Sequence, residues 1–178
     1  NKVIEELGSF YEKNLADTDD FRIGIKDIEY KSKLSTLRLI QYIFWRYDCF
    51  IRAKVNKKDG VKREGEIYDF QSYSNVKSYI LTVEHIFPQN PKNVVVPDNI
   101  NSLGNLISLE ARANMKLGNS MPLKKYESLK DKIGRPHIAD FLRENEEEQL
   151  KNWGKEQIEK RTDALADILY EKIFNIYI

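Results

Sequence analysis

Histidine is scarce in this chain, with only two copies, His85 and His137. His85 directly follows Glu84, and the pair ends the β-rich run Tyr79, Ile80, Leu81, Thr82 and Val83, shortly before Pro88 breaks regular structure. Two carboxamides follow in order, Asn105 at the head of a second apolar run and Asn114 within a segment of helical composition. An imidazole titrates near neutrality and can take a proton from water. A carboxylate beside it, joined by a carboxamide oxygen from a packed helix, offers hard oxygen ligands to a divalent cation. The ordered set Glu84, His85, Asn105 and Asn114 therefore has the makings of a general base next to a metal ion. Each member also has a structural reading: Glu84 and His85 pair with each other, Asn105 satisfies a turn, and Asn114 caps or bridges loops. His137 follows Arg135-Pro136 without a carboxylate or amide pattern and reads as a surface or capping residue.

The elements that must position these residues are short around the motif and long at the ends. Tyr79–Glu84 and Leu106–Leu109 are expected to pair as a small β-hairpin across the loop Gln89–Leu103, with the helix Glu110–Leu117 behind it and Gly118-Asn119 as its stop. Strand, loop, strand, helix is the order that a ββα-metal finger requires. Upstream, Leu34, Leu37, Ile40, Ile43, Phe44, Tyr47, Phe50 and Ile51 recur at helical spacing and predict a largely buried helix from Leu34 to about Val55. Asp59-Gly60 marks a turn. Downstream, Phe141 and Leu142 precede the charge run ENEEEQ, read as a solvated face or loop. A last helix is expected from Lys155 to Phe174, with Ile158, Leu165, Ile168, Leu169 and Ile173 as its apolar stripe. The fold class expected is mainly α with a small β-hairpin, a ββα-metal motif embedded in a helical domain.

The chain has 178 residues, 41% hydrophobic and 32% charged, too apolar for disorder and long enough for one self-sufficient core. A single cysteine, Cys49, excludes an internal disulfide and any paired-cysteine zinc clamp. There is no apolar run of membrane-spanning length. The opening residues NKVIEELGSF carry neither an initiator Met nor a signal-peptide pattern, so part of a longer cytoplasmic protein is expected. Net charge is +1, yet it is unevenly spread: residues 22–63 carry 12 Lys and Arg against 4 Asp and Glu, and residues 111–135 carry 7 against 2. Two basic blocks of this kind either converge on a phosphate-binding face or keep the surface soluble.

The segments LTVEHIFPQN and LGNLISLEARANMKLGN resemble the HNH motif in the C-terminal nuclease half of GmrSD-type, modification-dependent (type IV) restriction endonucleases. The resemblance is dense over residues 80–126 and continues more thinly through Trp153, Ile158 and Arg161. It implies a metal-dependent DNA endonuclease, with His85 as the base that activates water for attack on a phosphodiester. Glu84 takes the place of the acidic metal ligand, usually Asp in the wider HNH group, and Asn114 that of the helix-borne ligand. Asn105 resembles the middle Asn, which orders the loop and orients the base. Mg²⁺ or Mn²⁺ is the implied cofactor. DNA is the implied partner, modified phage DNA included, as in anti-phage defence. An N-terminal nucleotide-binding half, carrying a DGQQR-like motif absent here, is the other implied partner. Arg112, Lys116 and Lys125 lie near enough in sequence to contact phosphates, and Lys57, Lys58, Lys62 and Arg63 of the first basic block are further DNA-binding candidates.

The resulting organisation is a helical lead-in over 1–75, the HNH finger over 76–135, and a C-terminal helical brace over 136–178. Because the cysteine pairs that hold zinc in many HNH proteins are missing, packed helices must brace the finger. The residues leave two other function classes open. One is a catalytically silent module that binds DNA or docks a partner half, and the other is a purely structural helical adaptor.

Overall fold

The computed structural model describes residues 18–31, 33–58, 81–129 and 147–174. Helix α1 (Thr18–Lys26) leads into α2 (Leu34–Lys58), followed by strand β1 (Leu81–His85) and a single 3₁₀ turn (Leu103–Asn105) that runs directly into β2 (Leu106–Glu110). Helices α3 (Ala111–Leu117), α4 (Pro122–Leu129), α5 (Glu147–Lys151) and α6 (Lys155–Ile168) complete the order. A wider π-helical segment, Leu169–Phe174, then prolongs α6. This is a mainly helical fold around one two-stranded antiparallel sheet. Asp59-Gly60, Tyr79-Ile80, His137 and Phe141-Leu142 lie outside the described residues, as do parts of all three expected segments.

The helices bury the stripes that their spacing dictates. In α2 the buried positions Ile40, Ile43, Phe44 and Tyr47 follow the helical repeat, and Trp45 is buried beside that stripe. Leu34 and Leu39 fall off that stripe and are exposed, so α2 is less enclosed than its composition predicts. In α6 the buried set is Ile158, Thr162, Leu165 and Ala166, continued by Leu169. Gly154 begins α6, its N–H donating to Gln157 Oε1 at 3.0 Å. Gly118, at φ +48°, ends α3 in the left-handed conformation that suits glycine.

The hairpin is the partition between two apolar clusters. Its register pairs Glu84 with Ile107 and His85 with Leu106, and residues paired across a strand pair share a face. Thr82, Glu84, Ile107 and Leu109 therefore face one way. There Ile107 and Leu109 join Ile86, Phe87, Leu117, Leu129, Leu150, Trp153 and Ile158. Val83, His85 and Leu106 face the other way, where Leu106 packs with Ile40, Ile43, Phe44, Tyr47, Leu103, Leu165 and Leu169. Burying both faces of two short strands explains their dense apolar composition.

The described part of the charge run that precedes Trp153, Glu147 to Gln149, is exposed, the solvated face expected of it, and is helical rather than a loop. Glu147 to Lys151 forms a helical turn whose Leu150 is only 1% exposed. Leu150, directly after the run, is the residue that anchors this turn on the core, and the carboxylates before it stay in solvent. No helix among the described residues is long and apolar enough to cross a membrane.

Candidate active site

His85 closes β1, and its ring is held from two sides. Its Nε2 lies 3.2 Å from Asn101 Oδ1, which also accepts from Gln89 Nε2 at 3.2 Å. With that oxygen so assigned, Nε2 carries the proton and Nδ1 keeps its lone pair. The Tyr30 ring meets the imidazole edge-on, with centroids 4.7 Å apart. Tyr30 is brought there by the residues after α1, where Glu29 bridges to Ser102 and Tyr30 N–H donates to Asn101 O at 2.7 Å. Burial pulls the His85 pKa down to about 4, reinforced by the Lys125 charge and opposed by the hydrogen bond to Asn101. The ring is therefore neutral at neutral pH, with a lone pair to accept a proton, but it is a weaker base than an imidazole that titrates near neutrality.

Glu84 sits on the opposite face of the hairpin, 9% exposed. Its Oε1 accepts a hydrogen bond from Lys125 Nζ, which also donates to the carbonyl of His85. Burial pushes the Glu84 carboxyl up and the Lys125 ammonium down, and the pairing of the two opposes both shifts. On the same face, Asn114 donates from Nδ2 to Thr82 Oγ1 at 2.8 Å and, more weakly, to Val83 O at 3.4 Å. Thr82 and Glu84 are two residues apart on one face, so α3 ties Asn114 to the face of the hairpin that carries the carboxylate. Its nitrogen is spent on the strand, and its oxygen is the atom left for a cation.

Asn105 is fully buried, and all its polar capacity goes into the surrounding loop. Its Oδ1 accepts from Phe87 N–H at 2.8 Å and Trp153 Nε1 at 3.2 Å, while Nδ2 donates to Phe87 O at 3.0 Å and Ile100 O at 2.9 Å. These bonds tie Phe87, Ile100 and Trp153 to the turn before β2. The side chain that meets the imidazole is instead Asn101, which the spacing did not single out because it lies among several loop asparagines. The brace closes on the same turn. Arg161 donates to Gly104 O at 2.6 Å and Leu106 O at 2.9 Å, and Gly104 N–H donates to Thr162 Oγ1 at 3.1 Å. A Cβ at Gly104 would lie 2.1 Å from Ile158 O, so only glycine allows this approach.

The basic candidates separate. Arg112 and Lys116 are exposed, one helical turn apart on α3. Lys125, expected at a phosphate, is instead 3% exposed and committed to Glu84 and the end of β1. It falls on the inward stripe of α4 with Pro122 and Leu129, where a charge needs a partner. Lys57 and Lys58 end α2, with side chains outside the described residues, and Lys62 and Arg63 lie wholly outside them. Part of the first block is neutralised internally: Arg22 pairs with Asp167 and Lys26 with Asp163, each at 2.7 Å.

The donor chemistry fits a hard divalent cation. Glu84 and Asn114 bring a carboxylate and a carboxamide to one face, and Mg²⁺ commonly uses one or two protein oxygens with water and phosphate completing its shell. Among the described residues no three His, Cys, Asp or Glu side chains gather to hold a metal by themselves. A cation here must therefore draw on carboxamide, water or phosphate oxygens.

A family model described as "GmrSD restriction endonucleases, C-terminal domain" matches residues 15–168. The chain belongs to this family. Comparison with curated proteins and with solved structures gives no match. As a GmrSD C-terminal domain it is a restriction-endonuclease-related module, and the match takes in α1 to α6.

Proposed function

We propose that this GmrSD C-terminal domain is a metal-dependent DNA endonuclease of the HNH type, acting in restriction of modified or phage DNA together with a nucleotide-binding half. The observation that carries the reading is His85: a neutral imidazole at a strand end, its Nε2 proton engaged by Asn101 and its Nδ1 left to accept. Nδ1 takes a proton from water as the water oxygen attacks phosphorus, and the bond from phosphorus to the leaving oxygen breaks. Asn101 holds the ring in the competent tautomer while the imidazolium forms, and Tyr30 limits its rotation. Glu84 and Asn114 would hold Mg²⁺ or Mn²⁺, which when bound offsets charge on the phosphate and the leaving oxygen. Arg112 and Lys116 face solvent and are available to neighbouring phosphates.

A catalytically silent DNA-binding or docking module is the second reading, favoured by one observation, that a lysine ammonium already occupies Glu84. Incubating the protein with plasmid in Mg²⁺, Mn²⁺ or EDTA, beside His85→Ala, separates the two. The nuclease reading expects nicking with either metal, none in EDTA, and a loss of about 10²- to 10⁴-fold in His85→Ala with DNA binding retained. A wild-type protein that binds plasmid but leaves it intact in every metal supports the silent module.

A further inference from the structure

Glu84 is the only carboxylate that the described residues bring to the candidate cation site, and its Oε1 already holds a positive charge, the ammonium of Lys125. That lysine is not a surface side chain that happens to reach inward. It is 3% exposed, lies on the buried stripe of α4, and is fixed a second time by the carbonyl of His85. Asn114 adds only a neutral carboxamide. Glu84, Lys125 and Asn114 thus sum to no net formal charge. A divalent cation gives up part of its hydration shell reluctantly and needs anionic ligands in return. Here the one anionic ligand is offset before the ion arrives. A DNA phosphodiester would bring both the missing negative charge and further oxygen ligands.

We propose that Lys125 is a built-in counter-charge that keeps the DNA-free site from taking up a divalent cation, so that cation and DNA phosphate enter as a linked pair. The inference rests on the metal-dependent reading of Glu84 and Asn114 and adds the order in which that site fills. Linkage makes the effect reciprocal: DNA raises cation affinity by the factor by which the cation raises DNA affinity. Lys125 acts through Glu84 and is a positioning residue rather than one that touches the reacting atoms.

The test is titration of the whole chain with Mn²⁺, following the loss of the free-ion paramagnetic resonance signal, without DNA and with a short phosphorothioate duplex. The Glu84→Gln protein with the same duplex gives the background of ions held by the DNA itself. Wild type should bind Mn²⁺ at least about tenfold more tightly with the duplex. Lys125→Gln should raise the affinity of the DNA-free protein by about tenfold, since a unit charge a few ångströms from a divalent ion costs that much even with the screening of bulk water. Lys125→Arg keeps the charge and should give no such rise. Equal Mn²⁺ affinity with and without duplex in wild type overturns the proposal, as does a Lys125→Gln protein that melts like wild type yet binds Mn²⁺ no better. If Lys125→Gln fails to fold, Lys125→Met, which keeps the buried stem and removes the charge, takes its place with the same expected rise in the DNA-free protein. Tight Mn²⁺ binding without DNA in a protein that still cleaves removes this inference and leaves the nuclease reading standing. No binding above the Glu84→Gln background in either condition removes both.

Discussion

Around His85 the neighbours act on different properties of one ring. Asn101 fixes which nitrogen bears the proton, and Tyr30 fixes the plane. Asn101→Leu removes the acceptor without adding charge. Plasmid nicking should then fall by about tenfold or more while DNA affinity holds, as when a partner that orients a histidine is lost. The buried ring also ties stability to pH. In the unfolded chain His85 titrates near its ordinary value of about 6.5, and in the native protein it titrates at about 4. Protonation therefore favours unfolding. The stability that the neutral ring contributes is complete above about pH 6.5 and is lost as pH falls toward 4, amounting in full to about 3 kcal/mol. Melting temperatures of the metal-free protein at pH 7 and pH 4.5 should drop further for wild type than for His85→Leu. Glu84, His85 and Asn114 stood out in the sequence because their types and order are unusual. Asn101 did not, because an asparagine in a loop rich in asparagine carries no spacing signal until the fold brings it to the ring.

The elements were legible to the degree that their stripes were purely apolar. The long helix from Leu34 and the last helix announce themselves by period, and the hairpin by its short β-rich apolar runs. Helix α4 does not, because its inward face reads Pro122, Lys125, Leu129, and a lysine there breaks the pattern. The signal that could have found it is Pro122 at the first helical position, where its missing N–H costs nothing, with Leu123 and Tyr126 flanking the stripe. The turn before β2 was legible as a motif position but not as a staple, since the four hydrogen bonds of the Asn105 side chain reach residues up to 48 positions away. Asn105→Ala should accordingly lose stability, not activity alone. Stranding buried partners costs about 1–3 kcal/mol for each group left unpaired. A drop of about 3 kcal/mol or more is expected in urea unfolding of the metal-free protein, while Asn114→Ala, at a half-buried site, should lose less.

Over the whole molecule, charge is sorted by helix face. Arg22 and Lys26 of α1 are spent on Asp167 and Asp163 of α6 and so dock the lead-in on the brace. Arg112 and Lys116 point outward from α3. If these two neutralise phosphates, replacing both with Glu should weaken duplex binding and flatten the plot of log affinity against log salt, by about 0.9 for each phosphate that is no longer neutralised. Affinity that stays unchanged would limit both side chains to keeping the surface soluble. The same fluorescence-anisotropy titration applied to a variant with Lys57, Lys58, Lys62 and Arg63 reversed to Glu tests whether the first basic block shares the task. The hairpin's role as a wall between two apolar clusters reaches beyond packing. Glu84 belongs to one room and His85 to the next, although one peptide bond joins them. Each of the two side chains is thus seated by a different core, and both cores must be packed for the pair to be held at once.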